Sequence, residues 1–208
     1  MNVQIYTETT IAQGACASAG RLREELDLIT ELVVNQATVM DLASGDPQPR
    51  PAWVTPIDDL LIVAADDDPA IPVHAAWHRI LLHAGPYEIA GELSTMPGFD
   101  PGRALTRPTG TFVLLRDVVV RLLDQPDAGE SDHAHALVNR YTVDAVEADI
   151  MLGFFFPGAR MMGGPTADPA PVATVDSPAA VDSPAAVDSP AAVDPPAGGA
   201  PVTAPAAS

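Results

Sequence analysis

The chain contains no lysine and a single cysteine, and aromatic residues make up only 5% of its 208 residues. One cysteine excludes a disulfide framework and any metal site built from several thiolates. Ten arginines stand against 28 acidic residues, which gives a formal net charge of −18. Because nucleic-acid backbones bind clustered basic side chains, we expect no nucleic-acid partner.

Long apolar runs are also missing. The first 160 residues contain no run of the ~20 mostly apolar residues that a membrane-spanning helix needs. Residues 1–14, MNVQIYTETTIAQG, lack the basic segment followed by an apolar one that defines a secretory signal. We therefore expect a cytoplasmic protein without a membrane partner.

The composition changes after Met162. Residues 163–208 contain no arginine, no aromatic residue, no leucine and no isoleucine. The unit VDSPAA begins at Val175, Val181 and Val187, and a related VDPPAG follows. Because each unit contains proline and little apolar surface, the sequence predicts a disordered tail over residues 163–208.

The residues before this tail have short apolar patterns and a β-type composition. Helix is predicted at residues 21–28, with residues 75–80 as a second candidate. The fold class is therefore all-β. The predicted strands cover residues 3–10, 32–42, 79–82, 87–94 and 112–123, and strand–corner–strand pieces cover residues 53–65 and 136–148.

The same series of elements occurs twice. A glycine-bearing strand contains Gly14 in the first series and Gly91 in the second, and a long strand and a strand–corner–strand piece follow each. We interpret the series as two tandem five-stranded units, at residues 1–70 and 74–152. A glycine inside a strand is typical of a small barrel whose strands must bend. The alternative is that the two series are not a duplication and share only the features common to all antiparallel β-proteins.

Three pieces of the second unit carry a likeness to a known family. They are IAGELS at residues 89–94, TFVLLRDVVVRLL at 111–123 and HALVNRYTVDAVEA at 135–148. They resemble the glycine-bearing second strand, the long third strand and the final strand pair of a bacterial Sm-like small β-barrel. The first unit matches more loosely. The resemblance implies two tandem Sm-like barrels or bent sheets.

The resemblance also implies RNA binding as one alternative function. The Sm-like family binds uridine- or adenine-rich RNA through a polar residue in a loop and a basic residue near the last turn. Asn139 and Arg140 stand at the last-turn position of this sequence, and Arg116 and Arg121 lie in the preceding long strand.

Histidines suggest another alternative, a metal-dependent enzyme. His74 and His78 are four residues apart in HAAWH, which would place both on one face of a helix, and His133 and His135 would share a strand face. A zinc enzyme of this kind needs glutamate after the first histidine, where Ala75 stands. The pattern is more typical of exposed histidines in a linker and a loop, so we predict no cofactor and no catalytic residue.

An apolar segment at residues 153–162 follows the second unit. Together with residues 150–152 it holds three of the five phenylalanines and three of the six methionines. Such side chains either pack back across an open barrel end or form an exposed association site. An association site would bind an unknown protein partner or a second copy through Phe154, Phe155, Phe156, Met161 and Met162.

The favoured function is therefore a non-enzymatic one. We expect a protein-interaction, scaffolding or regulatory module, with its edge strands and the segment at residues 153–162 as contact surfaces.

Overall fold

A computed structural model describes residues 1–18, 21–66, 69, 75–95, 110–125, 129–148, 150, 152 and 155–162. The tail predicted over residues 163–208 lies outside the described residues, as do His74 and Phe154. All the described residues belong to one unit of the chain, Met1–Ala167.

The described residues form eleven β-strands and one short α-helix, which confirms a mainly-β fold. A 3₁₀ turn at Ile57–Asp59 makes the corner predicted in the first half of the chain. The elements of the first half are β1 Asn2–Tyr6, β2 Thr10–Cys16, α1 Leu22–Leu26, β3 Glu31–Asp41, β4 Pro47–Pro56 and β5 Ile62–Ala65. Those that follow are β6 Ala76–Ala84, β7 Tyr87–Thr95, β8 Phe112–Leu122, β9 Glu130–Asn139, β10 Val143–Ala148 and β11 Arg160–Met162.

Several local predictions differ from the structure. Strand β4 begins at Pro47 and β9 at Glu130, each six residues before the predicted start. Residues 75–80 were a helix candidate, but residues 76–80 belong to β6, where Trp77 pairs with Ser94 of β7. Strand pairing there overrides the weak local preference for helix. The strand predicted at residues 3–10 is interrupted by a turn, in which the hydroxyl of Thr7 accepts a hydrogen bond from the backbone N–H of Thr10 at 3.0 Å.

All eleven strands form one sheet, in the order β11-β10-β6-β7-β8-β9-β5-β1-β2-β3-β4. Strands β1 to β5 lie in the order β5-β1-β2-β3-β4, and β6 to β10 lie in the matching order β10-β6-β7-β8-β9. The two sets meet where β5 pairs antiparallel with β9, with Ile62 opposite Val138, Val63 opposite Leu137 and Ala64 opposite Ala136. We call this pairing the junction. The described strands thus form a single continuous sheet, and the division into two tandem units stays a prediction.

Both sets of strands contain a bulge at the predicted glycine. The register shifts at Gly14 between β2 and β3, and at Gly91 between β7 and β8. The facing strand has a residue with positive φ in each case, Gln36 at +50° and Asp117 at +48°. Such bulges bend a strand and increase its twist, which is the role that the sequence assigned to these glycines.

The buried side chains form two clusters, and each cluster draws on both sets of strands. One contains Tyr6 together with Tyr87 of β7. The other contains Leu22 of α1 and Val63 of β5 together with Leu137 of β9. The junction is therefore an apolar contact as well as a backbone ladder.

The two buried tyrosines predict a loss of stability at alkaline pH. Burial raises the pKa of Tyr6 from 10.0 to about 12 and also raises the pKa of Tyr87. The unfolded chain releases these phenolic protons near pH 10 while the folded chain retains them. The free energy of unfolding is therefore expected to fall as the pH rises from 10 through about 12.

Urea unfolding at about pH 9 and about pH 11 measures this fall. The double variant Tyr6→Phe/Tyr87→Phe is expected to show a much weaker pH dependence across that interval. An equally steep fall in the variant would contradict the assignment to these two phenols.

Candidate functional site

Strand β4 ends the sheet, so one of its two backbone edges has no described strand beside it. Four of its ten residues are proline. Proline has no N–H group to donate, and on an edge strand it prevents another strand from adding there. The longest run of β4 without proline is residues 52–55, Ala-Trp-Val-Thr, so strand addition to β4 is confined to this run.

Exposed aliphatic side chains lie beside this proline-free run. Val33 of β3 and Val54 of β4 face each other across the strand pair and are 44% and 51% exposed. Leu28 and Ile29, just before β3, are also exposed. We call residues 52–55, which include Val54, together with Val33 of β3 the open edge. An exposed group of aliphatic side chains at a sheet edge is typical of an association site.

The open edge has a counterpart in the second set of strands. Val33 lies three residues before the positive-φ residue of β3, Gln36, and Leu114 lies three residues before the positive-φ residue of β8, Asp117. Val33 therefore corresponds to Leu114. The residue opposite Val33 is Val54, so Val54 corresponds to the residue opposite Leu114.

That residue is Leu137 of β9. Leu114 and Leu137 are 8% and 5% exposed, because β5 pairs with β9 and both leucines belong to the buried cluster that contains Val63. Equivalent positions are thus buried at the junction and exposed at the open edge. The pair β3 and β4 at the open edge corresponds to the pair β8 and β9 at the junction. No described strand pairs with β4 as β5 pairs with β9.

The apolar segment at residues 153–162 has its aromatic part inside the fold. Phe156 is fully buried, and Phe155 packs partly buried against the same cluster. Met161 is 39% exposed and Met162 is half-buried. Of the described partner-binding candidates in this segment, Met161 therefore offers the largest exposed fraction, while Phe156 is part of the core.

The candidate RNA-binding pair lies in the turn between β9 and β10. Asn139 donates from Nδ2 to the Leu60 carbonyl oxygen at 3.1 Å and accepts from the Tyr141 N–H at 3.1 Å. Arg140 is 4% exposed and donates to the Tyr141 hydroxyl at 3.0 Å. The bond to Leu60 ties the turn to the first half of the chain, whereas the two bonds to Tyr141 lie within the turn.

The two arginines of β8 are matched by acidic side chains. Arg116 donates from both Nε and Nη2 to Glu92, at 2.8 and 2.6 Å, and its guanidinium lies 3.8 Å from the centre of the Trp77 ring. Arg121 lies 3.6 Å from a Glu88 oxygen and 3.0 Å from a Glu130 oxygen. A phosphate would have to compete with these carboxylates for both arginines.

The described candidate metal-binding histidines are half-buried in strands, His78 in β6 and His133 and His135 in β9, so the expectation of exposed histidines in a linker and a loop was wrong for these three. His78 lies in β6 rather than in a helix, with its Nε2 2.9 Å from the Thr95 hydroxyl. His133 Nε2 lies 2.7 Å from the Tyr6 hydroxyl, and burial lowers the pKa of His133. His135 lines a cavity of about 180 Å³. Within the described ranges no three His, Cys, Asp or Glu side chains gather as a metal site would require.

The single cysteine predicts a slow thiol reaction. Cys16 is buried in β2, and burial raises the pKa of its thiol, to which the charge of Glu25 adds. Since the thiolate is the reacting form, we expect iodoacetamide at about pH 8 to modify the native chain at least about tenfold more slowly than the urea-unfolded chain. Equal rates would contradict this burial.

Sequence reasoning missed Val33 and Val54. The β-branched run at residues 32–42 predicted a strand, but it did not show which of its faces would lack a partner. The available signal was the alternation of prolines in PQPRPAWVTP, residues 47–56, because such spacing is typical of an edge strand.

The described part of the chain contains no helix of the length and apolarity needed to cross a membrane. Comparison of the chain with protein-family models, with curated proteins and with solved structures finds no match.

Proposed function

We propose that this chain is a non-enzymatic protein-interaction module that takes a β-strand from a partner protein at the open edge. In this proposal the chain consists of two tandem Sm-like five-stranded units. The contrast between Leu137, 5% exposed at the junction, and Val54, 51% exposed at the equivalent position, is the observation that carries it.

The junction indicates which residue types the expected partner strand should contain. There a short segment, Ile62–Ala65, adds antiparallel to β9 with a β-branched residue, Val63, opposite Leu137. A partner strand of the same type would pair with residues 52–55 and cover Val54. In strand addition the backbone ladder supplies affinity, and alternate side chains supply specificity. The partner is therefore an apolar strand of small and β-branched residues.

A peptide with the β5 sequence tests this proposal. We expect a fluorescein-labelled peptide of residues 61–66, LIVAAD, to bind the full chain saturably, as measured by fluorescence anisotropy. Val54→Asp places a charge in the middle of the ladder and is expected to weaken binding at least about tenfold. Leu123→Asp is the matched control, because Leu123 is an exposed aliphatic residue beyond the end of β8, and it is expected to leave binding unchanged.

Two results would contradict the proposal. One is the absence of saturable peptide binding to the native chain up to about 1 mM. The other is equal binding to the Val54→Asp and Leu123→Asp variants.

RNA binding and metal catalysis have no comparable support. Arg116 and Arg121 are paired with carboxylates, and Arg140 is buried. His78 contacts Thr95 and His133 contacts Tyr6. Among the described residues no three His, Cys, Asp or Glu side chains gather as a metal site would require.

A further inference from the structure

A cavity of about 180 Å³ lies on one face of the junction. Its floor consists of Val63, Leu137 and Leu114, which form a row across β5, β9 and β8 because Leu137 lies opposite both of the others. Side chains two residues apart share a face of a strand, so Ala65 and His135 line the same cavity. The floor is apolar, and its three side chains are at most 8% exposed.

Helix α1 supplies the charged part of the cavity lining. Leu22 and Leu26 of α1 belong to the same buried cluster as the floor, so the helix packs on this face of the junction. Arg21, just before α1, and Arg23 within it then line the cavity. Because the side chain of Arg21 is exposed, the cavity reaches the protein surface on this side.

The charged lining is mainly basic, although the chain as a whole is strongly acidic. Arg21, Arg23 and His135 line the cavity, and among its described lining residues Glu24 is the only acidic one. Glu24 forms an ion pair with Arg21 at 3.3 Å, but the two side chains are 69% and 61% exposed, and exposed pairs of this kind are weak. A carboxylate on a ligand can therefore compete with Glu24 for the arginine.

The size and the lining of the cavity define the class of ligand. An apolar cavity of about 150 Å³ in another protein holds a benzene molecule, so this cavity has room for an apolar body of about six carbon atoms. A guanidinium group donates two parallel hydrogen bonds to a carboxylate, which suits arginine to bind one. The apolar floor and the two arginines therefore fit an anion with a compact apolar body.

We propose that this cavity binds a small monocarboxylate, with its apolar body on Val63, Leu114 and Leu137 and its carboxylate at Arg21 and Arg23. The floor belongs to β5 of the first set of strands and to β8 and β9 of the second, so the ligand contacts both sets across the junction. A ligand that binds only the folded chain stabilises it against unfolding. The open edge, on β3 and β4, is a different surface, so the proposal does not depend on the proposed function.

Benzoate and two matched compounds test the proposal on the full chain. Benzoate has the apolar ring and the carboxylate, benzyl alcohol keeps the ring without the charge, and acetate keeps the charge without the ring. We expect isothermal titration calorimetry to show saturable benzoate binding with a dissociation constant below about 1 mM. Benzyl alcohol and acetate are expected to bind at least about tenfold more weakly.

Two substitutions remove the two parts of the site separately. Arg23→Gln is expected to weaken benzoate binding about tenfold and to leave benzyl alcohol binding unchanged. Arg50→Gln is its matched control, because Arg50 of β4 is exposed and does not line the cavity, and it is expected to change neither. Ala65→Leu fills the cavity and is expected to abolish the binding of both compounds, whereas Ala65→Ser leaves the space and is its control. Near-ultraviolet circular dichroism shows that each variant is folded.

The amide signals of the native chain give a readout that needs no substitution. We expect saturating benzoate to shift the NMR signals of the Ala65 and His135 amides and to leave those of Gln48 and Arg50 unchanged. The proposal is overturned if the native chain shows no saturable benzoate binding up to about 10 mM, or if acetate or benzyl alcohol binds as tightly as benzoate. Equal benzoate binding by Arg23→Gln and Arg50→Gln, or shifts confined to residues away from the cavity, also overturns it.

Discussion

Replacing Leu137 by alanine is expected to lower the free energy of unfolding by about 3 kcal/mol, whereas Val54→Ala changes it by less than about 0.5 kcal/mol. The two residues occupy equivalent positions, but Leu137 is buried in the junction and Val54 is half exposed. Truncation of Leu137 leaves a cavity in the cluster that contains Val63, while truncation of Val54 leaves none. Urea unfolding of the full chain, followed by circular dichroism, measures both values.

Leu114 and Val33, which face Leu137 and Val54, allow the same comparison of unfolding free energies at a second pair of equivalent positions. Leu114→Ala is expected to behave like Leu137→Ala, and Val33→Ala like Val54→Ala, because Leu114 is buried and Val33 is exposed. Similar losses at Val54 and Leu137 would show that Val54 already has a partner in the native chain. That result would remove the main support for the open edge as a binding surface.

Gly14→Ala is expected to lower the free energy of unfolding by about 3 kcal/mol. A Cβ atom on Gly14 would lie 2.7 Å from the Asn35 carbonyl oxygen and 2.7 Å from a Val34 methyl group, so β2 and β3 would have to separate. The melting temperature is expected to fall by roughly 6–12 °C, which differential scanning calorimetry measures.

The glycine of the second bulge is the matched control for this variant. A Cβ on Gly91 would lie 3.3 Å from the Arg116 carbonyl oxygen, which a small backbone adjustment relieves. Gly91→Ala is therefore expected to cost less than about 1.5 kcal/mol. Equal losses in both variants would contradict the tighter strand approach at Gly14.

Most of the strands were predictable from the sequence because their composition is locally decisive, whereas β11 and the first residues of β4 and β9 were not predicted. The β-branched runs at residues 32–42 and 112–123 became β3 and β8, and the glycines in β2 and β7 lie at bulges. The helix candidate at residues 75–80 was wrong because its conformation depends on pairing with β7, which local preference does not reveal. The junction was beyond prediction for the same reason, since β5 and β9 are far apart in the sequence.

The candidate sites depended even more on the register between strands. The sequence shows Arg116 and Arg121, but only the pairing of β8 with its neighbours brings Glu92 and Glu130 to them. An apolar Phe156 is compatible both with a packed segment and with an exposed association site. Its burial depends on packing against strands that are distant in the sequence. The sequence predicts that Val54 lies in a strand, but only the strand order shows that this strand is at the end of the sheet.

Hydrogen exchange of the β4 amides in the full chain, with and without the β5 peptide, tests the open edge most directly. Bound peptide is expected to slow exchange within residues 52–55, because a new ladder forms there, and to leave Gln48 and Arg50 nearly unchanged. Unchanged exchange at residues 52–55 under saturating peptide, or protection confined to another strand, would contradict strand addition at the open edge.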